Sequence, residues 1–270
     1  MTARYRLPAL LAFPLAALLA VSALGGLFVP AVYAREHPLR AAQGLGQSWV
    51  DLVLVAPFLA AASYFTLRRS CRFALLLAGT LAYALYSMAL YAFFMHFGPL
   101  FLVYTAALGL SFYALVAMIC AFKSDDVAGW YGPGAPVRLA GALSVVLGAA
   151  FAALWLAEVV PALARGTVVA SAADSGLITN PVEVLDLGIV LPASVVGGLA
   201  LIRRAPLGYW LGPMMLGFGV VENAALIGMT VSVRTHGGGA AGPPLVPLVA
   251  MTLVNAAVLA LLLRHLRRDM

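Results

Sequence analysis

Charge is what this 270-residue chain has least of. Only 10% of its residues are Asp, Glu, Lys or Arg, and Lys123 is the sole lysine. A soluble domain carries about a quarter charged residues, so a soluble globular protein and a charge-rich disordered chain are both excluded. Cysteine is scarce too. Cys71 and Cys120 form no C-x-x-C pair and no zinc spacing, so neither a disulfide framework nor a metal cage is implied. The chain has no glycine-rich phosphate loop with its lysine, no Gly-x-Ser-x-Gly elbow and no His-Glu-x-x-His helix. No span carries paired histidines for haem, and the last two hold no lysine for a retinal Schiff base. A nucleotide-driven pump, a zinc protease, a haem protein and a rhodopsin are each disfavoured, and no cofactor is expected. The net charge of +6 is not a nucleic-acid footprint, because no basic stripe lies outside the turns that flank apolar runs.

What the chain has is apolar length. It is 64% hydrophobic with a mean hydropathy of +1.02. The runs are continuous rather than alternating, which rules out an outer-membrane barrel. About 20 apolar residues cross a hydrocarbon core as a helix. Eight stretches qualify: 7–33, 49–67, 73–95, 99–122, 137–164, 181–202, 207–232 and 243–263. The expected fold is an all-α polytopic membrane protein with eight transmembrane helices, whose first partner is the lipid bilayer. With the N-terminus inside, twelve of the sixteen Lys and Arg residues fall on the inner side. That bias predicts a cell-membrane protein with both termini cytoplasmic. Trp49 and Trp155 then fall at outer ends and Trp130, Tyr131, Tyr209 and Trp210 at inner ends, as interfacial aromatics do. Arg4 and Arg6 before the first run resemble a signal peptide, but the run is long for one.

The two halves echo each other. Asp51, Pro57 and Arg68-Arg69 in the second span repeat as Asp186, Pro192 and Arg203-Arg204 in the sixth, at the same spacing. Val29-Pro30-Ala31 echoes Val160-Pro161-Ala162, and Gly98-Pro99 echoes Gly242-Pro243, with His96 and His236 just before. These matches predict a tandem 4+4 parallel repeat, 1–122 and 137–270, joined by a cytoplasmic linker at 123–136. An even number of spans per unit keeps both copies in one orientation, so the halves should relate by a pseudo-twofold along the membrane normal. The first run has a counterpart that cannot be a leader, which favours keeping it as a helix. The stretches Asn180-Pro-Val-Glu-Val-Leu-Asp-Leu187, Leu191-Pro192 and His96-Phe-Gly-Pro-Leu-Phe-Leu-Val-Tyr104 resemble uncharacterised bacterial multi-spanning membrane proteins. The resemblance covers about a third of the chain and implies a membrane fold, with no activity attached.

Four acids fall within or at the edge of spans: Asp51, Glu158, Asp186 and Glu222. An ionised carboxylate near a bilayer centre costs about 2.5–3.5 kcal/mol on insertion scales, so it faces protein or water. One reading is a single outward-facing cavity lined by Glu222, Asn223, Glu158, Asp51 and Asp186, with Asn255 mid-span in the eighth helix. It would hold a small polar or cationic solute or a proton. The competing reading places Asp51 and Asp186 in the first turns of their helices as dipole caps, and Glu222 in an interhelical hydrogen bond. Pro57 and Pro192 break their helices either to line a site or merely to kink them. Tyr83, Tyr86 and Ser87 give the third span a polar face. His37, His96 and His236 lack the spacing of a metal site and read as separate loop residues. Three function classes follow: a small-solute or ion transporter or channel; a non-catalytic sensor, scaffold or accessory subunit; and a membrane-embedded enzyme acting on a lipid or isoprenoid, the least favoured.

Overall fold

The computed structural model describes residues 3–173, 177–236 and 244–267. Among them, eight helices are long and apolar enough to cross a membrane. They are α1 (Arg6–Phe28), α2 (Pro38–Leu67), α3 (Cys71–Phe94), α4 (Phe101–Lys123), α5 (Val137–Arg165), α6 (Pro181–Ile202), α7 (Gly208–Thr235) and α8 (Leu245–Arg264). No strand occurs among the described residues; Tyr131 and Leu266 form an isolated antiparallel bridge. The chain is an all-α, multi-pass integral membrane protein.

Two helix boundaries differ from the hydropathy reading. α1 stops at Phe28 rather than running to residue 33, because Pro30 forces Val29 into extended backbone (φ −112°, ψ 97°). α2 starts at Pro38, eleven residues before the expected start. His37 caps it through Nδ1, which accepts from the Leu39 amide, and Pro38 needs no donor at the first position. Gln43, Gly44, Gly46 and Gln47 dilute the hydropathy of this segment enough to hide it.

α2 and α6 share three local features. Each contains a π-turn that begins on its aspartate: Asp51–Val55 in α2 and Asp186–Val190 in α6. Pro57 and Pro192 follow directly, each as the second residue of the resumed α-helix. A proline removes one amide and its ring collides with the carbonyl four residues back; widening the preceding turn relieves both. The prolines therefore sit in wide turns rather than at simple kinks. Each helix then ends the same way. Ser70 N donates to Phe65 O and Arg69 N to Thr66 O, while Ala205 N donates to Ala200 O and Arg204 N to Leu201 O. This is the double-bonded left-handed cap that glycine normally closes. Here Arg69 (φ 68°) and Arg204 (φ 56°) close it, and they are the two non-glycine residues with positive φ among those described. The proline echo near 30 and 161 does not carry over: Pro30 starts a 3-10 turn outside α1, whereas Pro161 lies inside α5. The Gly242-Pro243 echo lies outside the described residues.

α3 and α7 are the centre of the bundle. Gly79 of α3 is so near α7 that a Cβ there would stand 2.9 Å from Met214 O and Phe218 N. α7 also packs against α2, α6 and α8, and α3 against α2 and α4. α1 closes one side against α2 and α4, and α5 the other against α6 and α8. α3 also touches α6, the counterpart of the contact between α7 and α2.

Both chain ends and the 123–136 linker gather at one end of the bundle. Tyr5 packs on Phe122 and Trp130, with ring centroids 5.8 and 5.9 Å away. Arg267 N donates to Trp130 O, Arg72 donates to Arg264 O, and the Arg4 guanidinium reaches Ser124 O. Trp210 stacks on Phe122. Trp130 and Trp210 are thus buried packing partners rather than headgroup anchors. The Tyr5 hydroxyl donates to Asp125 at 3.1 Å; burial, aided by that carboxylate, pushes its pKa up and keeps it a donor. This basic end carries Arg6, Arg68, Arg69, Arg72, Lys123, Arg138, Arg203 and Arg204.

Candidate functional site: three acids at one depth

Asp51 and Asp186 each stand sixteen residues from the basic-end termini of α2 and α6, Leu67 and Ile202, and Glu222 stands fourteen from Gly208 of α7. At 1.5 Å per residue the three acids lie about 21–24 Å in, in the remote half of a hydrocarbon core about 30 Å thick. Asp51 is no helix cap. α2 begins thirteen residues earlier, and its own amides are already bonded at this position. Asp186 is in the second turn of α6, so the dipole argument applies to it alone.

Asp51 is 4% exposed. The Tyr83 hydroxyl donates to its Oδ1 at 2.7 Å. Gln47 Nε2 donates to that hydroxyl at 3.2 Å and to Ser87 Oγ at 2.5 Å. Asp186 is half-buried. Trp155 Nε1 donates to its Oδ2 at 2.8 Å, and the Tyr86 hydroxyl is directed at the same carboxylate. Trp155 is therefore an aspartate ligand rather than an interfacial anchor. Glu222 lies within electrostatic reach of both aspartates, and of Tyr83 and Tyr86. Phe218, one turn before it, meets the Tyr86 ring edge-on at 5.5 Å. The polar face of α3 thus serves both aspartates, with Tyr83 on one and Tyr86 on the other. Every Lys and Arg among the described residues stands near a helix end or in a connection, so no basic side chain reaches this depth.

The other expected members go elsewhere. Glu158, inside α5, accepts at 2.9 Å from Ser171 N of the connection that follows, where Ser171 and Asn180 also bond Glu183. Asn255 is 1% exposed and donates to Leu216 O at 3.3 Å, with its own carbonyl oxygen buried and unpartnered. Asn223 is buried in α7, 6% exposed. It is adjacent to Glu222 in sequence but about 100° away round the helix. The three histidines have separate partners: His37 caps α2, His96 bonds Glu36, and His236 bonds Ser232 O. Among the described residues, no three His, Cys, Asp or Glu groups converge closely enough to hold a metal.

Two groups escaped the sequence reading. Gln47 and Ser48 lie in the hidden part of α2. Glu36 looks like a loop acid, yet its side chain is fully buried between Arg40 (3.3 Å) and His96 (Nδ1 3.0 Å, backbone N 2.8 Å). The four-residue spacing from Glu36 to Arg40 was the available signal. Two clefts open among the described residues bear on the site. One of about 220 Å³ at the basic end is lined by Lys123, Asp125, Asp126 and Trp210. The other, of about 440 Å³, is apolar and lies between α5 and α6, with Leu187, the neighbour of Asp186, in its wall. No family model, no curated protein and no solved structure matches the chain.

Proposed function

We propose that the chain is a transporter or channel for protons or a small cation, and that Asp51, Asp186 and Glu222 are its ion-binding groups. One observation carries the reading: three carboxylates share one depth between α2, α3, α6 and α7, and no basic residue accompanies them. Charges of like sign in a low-dielectric interior repel strongly and are poorly solvated. A proton or a cation among them removes both costs, and its exchange is transport. The tandem-repeat architecture belongs to the same proposal. Residues 1–122 and 137–270 form two four-helix units, joined by 123–136 and related by a pseudo-twofold along the membrane normal through the crossing of α3 and α7. Its support is the paired π-turns, the paired arginine caps and the reciprocal contacts of α7 with α2 and α3 with α6. The arginine bias places both termini in the cytoplasm and the acids in the outer half of the cell membrane.

A second reading, a non-transporting sensor or accessory subunit, draws on one observation: Asp51 is only 4% exposed, and neither of the two clefts above includes it or Glu222 in its lining. Reconstitution into liposomes separates the two. Wild-type protein should dissipate an imposed proton or monovalent-cation gradient. Glu222→Gln, which keeps shape but loses the titratable oxygen, should not. Equal rates for wild type, Glu222→Gln and empty vesicles would overturn the transport reading in favour of the subunit.

A further inference from the structure

Between Asp51 and the end of the bundle remote from the basic residues lies a column of hydroxyls that packing alone does not require. Tyr33 belongs to the connection between α1 and α2, yet its ring is turned inward and only 9% exposed. Two glycines make the slot. A Cβ at Gly26 would stand 2.7 Å from the Tyr33 hydroxyl, and one at Gly44 would stand 2.7 Å from its ring. The hydroxyl so placed lies 3.0 Å from Ser48 Oγ and 3.4 Å from the Tyr91 hydroxyl. Ser48 follows Gln47 on α2, and Tyr91 stands one turn beyond Ser87 on α3. The column therefore begins where the Asp51–Tyr83–Gln47–Ser87 set stops. On its other side, the Tyr91 ring packs against Tyr104 at 5.1 Å, whose buried hydroxyl has no protein partner. Tyr104 lies within electrostatic reach of both Tyr33 and Glu36. Glu36 is sealed, but its partner His96 has a side chain 52% exposed.

We propose that Tyr33, Ser48 and Tyr91 form a proton relay that connects Asp51 to Glu36 and His96 at the remote surface, so that the ion moved is a proton. The inference rests on the transport reading and deepens it. A hydroxyl passes a proton by donating its own hydrogen on one side and accepting another on its oxygen from the other. Each Tyr and Ser ends neutral and one proton is displaced along the column. Gln47 donates through its amide nitrogen and holds Tyr83 and Ser87 in place; it does not carry the proton. In this proposal water bridges the two steps that no side chain spans, from the Tyr83 hydroxyl past Gln47 to Ser48 and Tyr91, and from the buried Tyr104 hydroxyl to Glu36. A metal cation has no use for such a column, since its members are spaced for hydrogen bonds with each other rather than converged on one point.

The test uses full-length protein in liposomes with an internal pH dye, and parallel vesicles reporting sodium or potassium. Tyr33→Phe and Tyr91→Phe keep the rings in their slots and remove only the hydroxyls; Ser48→Ala does the same for the serine. Each should slow proton flux about tenfold or more, with thermal unfolding in detergent shifted little, while Tyr113→Phe on the exposed face of α4 should match wild type. Wild-type proton rates in both tyrosine variants would overturn the relay while leaving the transport reading intact. So would flux of sodium or potassium, lost in Glu222→Gln, without any flux of protons. Wild-type protein no faster than Glu222→Gln for any ion would overturn both.

Discussion

The two aspartates occupy matching positions in α2 and α6 and live in different surroundings. Asp51 is sealed: α1, α3 and α7 close around α2, and a tyrosine backed by glutamine and serine bonds one carboxylate oxygen. Asp186 is half open. α6 packs on α5 and α7, its opposite side faces outward, and an apolar cleft runs past Leu187. Its donors are single groups from two helices, Trp155 and Tyr86. One backbone device, a π-turn followed by proline and a left-handed arginine cap, thus presents the acid in both places. The neighbours decide whether that acid is stored or accessible. In the proposed carrier the buried acid would hold the ion and the half-open one would exchange it, with Glu222 in electrostatic reach of both.

The comparison can be broken most forcefully at the acids themselves. Asp51→Asn and Asp186→Asn should each lower flux about a hundredfold or more, the range lost with an essential proton-transfer group. The double variant should be little worse than either, because parts of one site act as a unit. If Asp186→Asn keeps full flux, the open half is not part of the route. Next comes the crossing of the halves. Gly79→Leu drives a side chain into the α7 backbone and should cost about 1–3 kcal/mol or more, read as a fall in unfolding temperature in detergent. An unshifted transition would mean that α3 and α7 do not meet there.

The donors sharpen the contrast. Tyr83→Phe strips the sealed Asp51 of its partner and should destabilise by about 1–3 kcal/mol. Trp155→Phe should cost less, because the half-open Asp186 can bond water and Tyr86 instead. Chemical denaturation of both variants checks the order; the reverse order would exchange the roles of the two halves. The smallest effect is expected at the caps. Arg69→Gly and Arg204→Gly relieve a left-handed residue worth about 1–2 kcal/mol, less the entropy glycine gives back. A gain of about 0.5–1 kcal/mol should appear, the same in both halves. Unequal gains would show that the shared caps are not energetically alike.

The eight spans were readable because an apolar run of about 20 residues has few other uses. The repeated Asp, Pro and Arg-Arg spacing was readable because such residues are rare within membrane helices. What hid the true start of α2 was its composition. Pro38 to Ser48 holds glycines that pack against neighbours and glutamine that bonds inward, and hydropathy scores both as loop. The same blindness placed Asp51 at a helix start and missed Gln47, Ser48 and the inward turn of Tyr33. Glu158 was misgrouped for another reason: sequence gives depth along a helix but not the side of the bundle. Glu158 bonds a connection rather than the other acids.

The central claim is that Asp51, Asp186 and Glu222 sense one another across the two halves. Infrared difference titration of the purified chain reads the protonated carboxyls directly, without any assumption about flux. Asp51→Asn and Asp186→Asn assign the two aspartate bands, and the decisive sample is Glu222→Gln. Coupled groups titrate as a set, so removing one charge must shift the titration of the others. The account predicts that the titration of the aspartate bands changes in Glu222→Gln. Aspartate bands that titrate identically with and without Glu222 would contradict it.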